Sequence, residues 1–164
     1  MTVQSPARRP MVIKPWTIPT AVTALLVVAV LALQPDLGLL AELSPVIKIH
    51  LGAAVAAFIL GVVMLNSTKG AKFHRRAGWV WATLMLVVAG SSLFITELFK
   101  DHWSPIHILS GLTLFSLPIA LAAARRHNVK LHQGMMKGMF WGGMVVAGGF
   151  AFVPGRVMWE MFFG

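Results

Sequence analysis

No cysteine occurs in the 164-residue sequence, and only five residues are acidic. The first absence excludes disulfides, thiolate catalysis, cysteine-ligated iron–sulfur clusters and the C-x-x-C-H attachment of a c-type haem. Charge of either sign is scarce, at 12% of residues against about 25% in an average soluble domain. That shortage excludes a soluble globular protein, and the 57% hydrophobic content excludes a disordered one. The net charge of +9 is not a nucleic-acid signal. Such modules display a basic surface over an ordinary core, whereas here the basic residues sit in short clusters between long apolar runs. No nucleic-acid partner is expected; the lipid bilayer is.

What remains is an all-α, polytopic membrane protein. A bilayer core of about 30 Å takes roughly 20 apolar residues per helix, and five segments qualify: Trp16–Leu33, Pro45–Leu65, Phe73–Leu98, Pro105–Ala124 and Leu131–Pro154. Strand alternation is missing, so spans of this length are helices that satisfy their own backbone. The first is not read as a cleaved signal, because Leu33-Gln34-Pro35 is a poor small-residue cleavage site. The expected organisation is one transmembrane domain: a tail and leading helix over 1–44, a four-helix bundle over 45–154, and an outer C-terminal tail over 155–164.

Basic residues set the expected orientation. Arg8, Arg9, Lys14, Lys69, Lys72, Arg75, Arg76, Arg125, Arg126, Lys130 and Lys137 fall on one side. Lys48, Lys100 and Arg156 fall on the other, with all five acids: Asp36, Glu42, Glu97, Asp101 and Glu160. By the positive-inside rule the N-terminus is cytoplasmic and the C-terminus lies outside the bacterial inner membrane. Trp16, Trp79, Trp81 and Trp141 are expected in the inner aromatic belt, Trp103 and Trp159 in the outer one.

Four of the six histidines each open a helix. His50 and His107 begin the second and fourth spans, at the outer level; His74 and His132 begin the third and fifth, at the inner level. About 22 Å of helix, from His50 to Leu65 at ~1.5 Å per residue, separates the levels. The pattern repeats. His50 precedes His107 by 57 residues and His74 precedes His132 by 58; Ser44-Pro45 recurs as Ser104-Pro105, and Lys72-Phe73-His74 as Lys130-Leu131-His132. Two copies of one hairpin, related by an axis along the membrane normal, would set each histidine opposite its equivalent.

Two imidazoles with no carboxylate beside them make a poor zinc site, which wants three or four ligands. They suffice as axial ligands of a b-type haem, and bundle cores build such sites from facing helices. Ala54, Gly78 and Gly111 stand one turn after three of the histidines and leave room for a flat macrocycle; Met136 breaks the pattern after the fourth. Gly134, Gly138 and Gly142 add a small-residue row on the last span. The expected ligands, of haem iron as the metal, are His50 with His107 and His74 with His132. Lys72, Arg75 and Arg76 inside, and Lys48 and Arg156 outside, are the expected partners of propionates. His102 and His127 are read as interfacial, and Met135, Met136, Met139 and Met144 as core filler.

Several strings resemble a bacterial membrane family classed as domain of unknown function 2306. They are His50-Leu51-Gly52 with Gly61, Lys69-Gly70, His74-Arg75-Arg76, Gly78-Trp79, Ser104 through Ser110, Arg125-Arg126 with His132, and Pro154-Gly155-Arg156. The resemblance covers roughly Lys48 to Gly164 and implies a membrane unit without an assigned activity. The layout, though not the strings, is similar to di-haem cytochromes b in which four helices each give one histidine.

The sequence therefore predicts a small electron-transfer protein of oxidoreductase type with two haems b, working between a quinol or soluble donor and an acceptor. The alternative is a cofactor-free accessory or assembly subunit of a larger respiratory or photosynthetic complex. An intramembrane hydrolase or transporter lacks support, because Glu97 and Glu160 lie at span ends and no acid lies mid-span.

Overall fold

Ser44 ends an extended stretch and starts the first long helix: its hydroxyl accepts from the Ile47 amide at 3.4 Å, and Pro45 takes the first helical position. Ser44 and Pro45 thus form an N-cap followed by proline at the first helical position, where its missing N–H costs nothing. The computed structural model describes residues 35–95 and 105–164. The expected first span, its flanking Arg8, Arg9, Lys14 and Trp16, and the stretch holding Glu97, Lys100, Asp101, His102, Trp103 and Ser104 lie outside the described residues.

The described residues are helical and contain no strand. A short helix α1 (Leu39–Glu42) leads into α2 (Pro45–Asn66), followed by α3 (Lys72–Ser92) and α4 (Pro105–Arg125). The last long rod is composite: α5 (Val129–Gly138), a π-helical segment (Met139–Val146) and α6 (Ala147–Phe150). A final helix, α7 (Val157–Phe163), gives the expected C-terminal tail a regular structure.

Two helices, Pro45–Asn66 and Ile106–Arg125, are long and apolar enough to cross a membrane. The other two long segments have visible reasons for falling short. Lys72, His74, Arg75 and Arg76 occupy the start of α3, and the π segment divides the last rod. Ends also differ from expectation. α3 stops at Ser92 rather than Leu98, where Ser91 and Ser92 hydroxyls donate to carbonyls of the preceding turn and compete with the helical ladder. The last rod begins at Val129 rather than Leu131, because the Asn128 side chain accepts from the Leu131 amide at 3.2 Å. It ends at Phe150 rather than Pro154, as Ala151 and Phe152 amides turn back to Gly148 and Gly149 carbonyls.

Short turns fix neighbours. Lys69 closes the end of α2, its ammonium donating to the carbonyls of Met64, Leu65 and Ser67. His127 adopts φ 57 after α4, the left-handed residue that commonly ends a helix. α2 packs on α3, α3 on α4, α4 on α5 and on the π segment, and the π segment on α2. One buried cluster draws on α2, α3, α4 and the π segment: Ala57, Trp81, Ala82, Met85, Val88, Leu117, Ala120, Met139, Phe140 and Met144. Met135 and Met136 pack against it, so the methionine patch fills core space as expected.

Trp81 is a correction. Its expected place in the aromatic belt is wrong: it is 4% exposed, and its indole N–H donates to the Ala57 carbonyl on α2 at 2.9 Å. Gly61, one turn further along α2, is where this middle layer closes. A Cβ there would stand 2.7 Å from the Phe140 ring and 2.9 Å from the Trp81 indole nitrogen. Phe140 also stacks on Phe58, with centroids 5.7 Å apart.

Candidate functional site: two histidine layers

Above the middle layer, His50 reaches from α2 to the far end of α3. Its Nδ1 lies 3.1 Å from the Val88 carbonyl and 3.0 Å from the Ser91 hydroxyl oxygen. A carbonyl only accepts, and Ser91 gives its own proton to Val87 at 2.6 Å, so the imidazole proton is on Nδ1. From the other side, Ser110 of α4 meets Ser92 of α3, hydroxyl to hydroxyl. His107 stands one turn before Ser110 and is 3% exposed. Both histidines thus flank the last turns of α3, within about two turns of each other along the axis.

Below the middle layer, the Nδ1 of His132 on α5 donates to the Ala120 carbonyl of α4 at 2.9 Å. The Nδ1 of His74 on α3 lies 3.4 Å from the Ser67 oxygen, whose own proton goes to Met64. His74 and His132 thus lie next to turns at one end, beside Ser67 and Ala120, while His50 and His107 lie toward the end of α3 at the other.

Two of these imidazoles, His50 and His132, donate Nδ1–H to a carbonyl of another helix, which turns Nε2 away from that bond. Ligating histidines are held in this way, with the second nitrogen bonded to a carbonyl or carboxylate that fixes tautomer and ring orientation. No signal in the sequence singled out Ser67, Ser91, Val88 or Ala120 as their partners. Among the described residues no three His, Asp or Glu side chains converge as a metal cluster.

The cations are distributed differently from expectation. Lys48 donates to the Ala41 carbonyl at 2.9 Å and so closes α1. Arg75 and Arg76 are exposed, Arg75 donating to Gly70 at 3.0 Å. With Lys72 and Trp79 they line an open depression of about 290 Å³. At about 100° per residue, this set lies on the face of α3 turned away from His74, so the structure does not bring these cations to the inner pair. Arg156 is half-buried at the start of α7, where Gly155 takes φ 81 and turns the chain after the last rod. Of the small residues expected beside the histidines, Gly78 faces Met64 at 3.5 Å, while Gly111, Gly134, Gly138 and Gly142 have nothing within 4 Å of a Cβ position. His127 is exposed in its turn.

No curated protein and no solved structure matches the sequence. One family does, described as predicted membrane protein (DUF2306), over residues 47–144. That stretch contains His50, His74, His107 and His132 together with Gly61 and Trp81. Covering more than half of the sequence, the match establishes that the chain belongs to this family of membrane proteins.

Proposed function

We propose that the chain is a transmembrane electron-transfer protein of the bacterial inner membrane, with two haems b, each held by one level of histidines. His50 and His107 take the outer haem and His74 and His132 the inner one. Helices 45–66, 72–92, 105–125 and 129–150 form the bundle, the leading segment adds a fifth span, and the N-terminus is cytoplasmic. Quinol or a soluble donor gives the electron, and an acceptor at the other face takes it. The observation that carries the reading is the shared arrangement of His50 and His132, each donating from Nδ1 to a carbonyl of another helix. Haem supplies the redox chemistry when bound; the residues of the chain supply ligands, a dry surrounding and a fixed separation. Arg156 is the cation assigned to the outer level, since its guanidinium suits a carboxylate.

A second reading has its own observation. At the outer level Ser92 meets Ser110 and His50 is satisfied by α3, so this contact is complete as helix packing. A cofactor-free accessory or assembly subunit of a larger complex would use the histidines as such fasteners.

The two readings part in one experiment. Full-length protein, expressed in haem-supplied cells and purified in detergent, is recorded reduced and oxidised. The electron-transfer reading expects b-type difference bands with two haems per chain. A colourless protein of intact helicity leaves the accessory reading.

A further inference from the structure

The depression on the outward face of α3 holds a second chemistry. Lys72, Arg75 and Trp79 follow one another at three- and four-residue steps, Arg76 stands beside Arg75, and the four line it together. Its volume of about 290 Å³ lies just below the ~300–1,000 Å³ of ordinary small-ligand pockets. Trp79 is 53% exposed, and the Arg125 guanidinium of α4 lies 5.4 Å from the centre of its ring. A neighbouring helix thereby adds a fourth cation and holds the indole by a cation–π contact. The described acids, Asp36, Glu42 and Glu160, all belong to the other end of the molecule, around α1 and α7. Among the described residues, then, no acid stands at the end of the molecule that holds this cleft. The cleft is not turned toward His74, so the histidine layer does not use it.

The cleft also sits at a defined depth. α3 is basic up to Arg76 and apolar beyond Trp79. In a membrane protein, tryptophan and arginine at such a boundary lie at headgroup level. Basic pockets between helices at this depth suit phosphate headgroups, and arginine's planar fork matches phosphate oxygens in pairs.

We propose that Lys72, Arg75, Arg76 and Trp79, with Arg125 behind the indole, form a binding site for the phosphate of one anionic phospholipid. Phosphate is the chemistry recognised, and the headgroup of a membrane lipid is its source. The site is independent of the haem reading, since it rests on the membrane family and on the outward face of α3.

Native mass spectrometry of the full chain in detergent tests this, because no bilayer surface remains and only retained molecules count. Phosphatidylglycerol and phosphatidylcholine are supplied in equal amounts. Wild-type protein is expected to retain one phosphatidylglycerol in clear preference. Each charge removed should cost about fivefold, as ~1 kcal/mol per basic residue converts, so Arg75→Gln with Arg76→Gln should lose about 25-fold. Arg75→Lys with Arg76→Lys should keep most of the preference, and Lys130→Gln with Lys137→Gln, outside the cleft, should keep all of it. Equal loss in the two glutamine pairs would overturn the site in favour of unspecific charge. Retention by Arg75→Gln with Arg76→Gln would overturn it as well. Displacement of the lipid by millimolar inorganic phosphate would overturn the lipid source.

Discussion

The two histidine levels descend from the same sequence pattern and end in different surroundings. At the level of His50 and His107 the helices meet through small hydroxyls, Ser91, Ser92 and Ser110, and His107 is almost wholly enclosed. His74 and His132 instead lie next to the turns, with Lys69 in electrostatic reach and the exposed Lys130 two residues from His132. Between them Ala57, Gly61, Trp81 and Phe140 form a packed middle that keeps the levels apart. Positions that match in the sequence pattern thus acquire different neighbours, and the neighbours decide how enclosed each position is.

Removing the middle should have the largest effect, because both levels hang from it. Gly61→Leu would drive side-chain carbons into the Phe140 ring and the Trp81 indole. Overpacking of this kind costs about 1–3 kcal/mol, so thermal unfolding in detergent should start well below wild type and both levels should suffer together. Loss at one level alone would show that the middle does not couple them.

A smaller effect is expected from Trp81→Phe. It keeps the ring volume in part and removes the bond to the Ala57 carbonyl, worth about 0.5–1.5 kcal/mol. The melting temperature should fall modestly, and any haem spectrum should keep both components.

Smaller again is the effect of Arg156→Lys, which keeps the charge and loses the fork. On the proposed two-haem reading, the outer midpoint potential should shift slightly and the inner one should not, as a redox titration would resolve. Arg75→Gln with Arg76→Gln should leave both haem components unchanged, since these cations face away from His74. A changed inner component would return them to the histidine layer.

Much of this was legible in the sequence for physical reasons. Ser44-Pro45 specified the start of α2, and helix direction plus the 57- and 58-residue repeat specified which histidines share a level. Other features depend on three-dimensional neighbours. Trp81 and Trp79 are two residues apart, yet one is core and the other faces out, and only the crossing of α2 at Ala57 separates them. Arg75 and Arg76 adjoin His74 along the chain, but a helix turns adjacent residues to different faces. The π segment has no propensity signature; its glycines, Gly142 and Gly143, permit it without announcing it. Where α3 ends was also hidden, because Leu93, Phe94 and Ile95 continue the apolar run that Ser91 and Ser92 interrupt through their hydroxyls.

If each level of histidines is one site, spectra of four single variants will sort into two pairs. His50→Ala and His107→Ala should each remove the same component of the reduced-minus-oxidised spectrum, about half the absorbance. His74→Ala and His132→Ala should each remove the other. Combining the two substitutions of one level should add little, since ligands of a single site are not additive, and His127→Ala should change nothing. Loss of a shared component by His50→Ala and His74→Ala, with His107→Ala unaffected, would contradict the two-level arrangement even though haem were present.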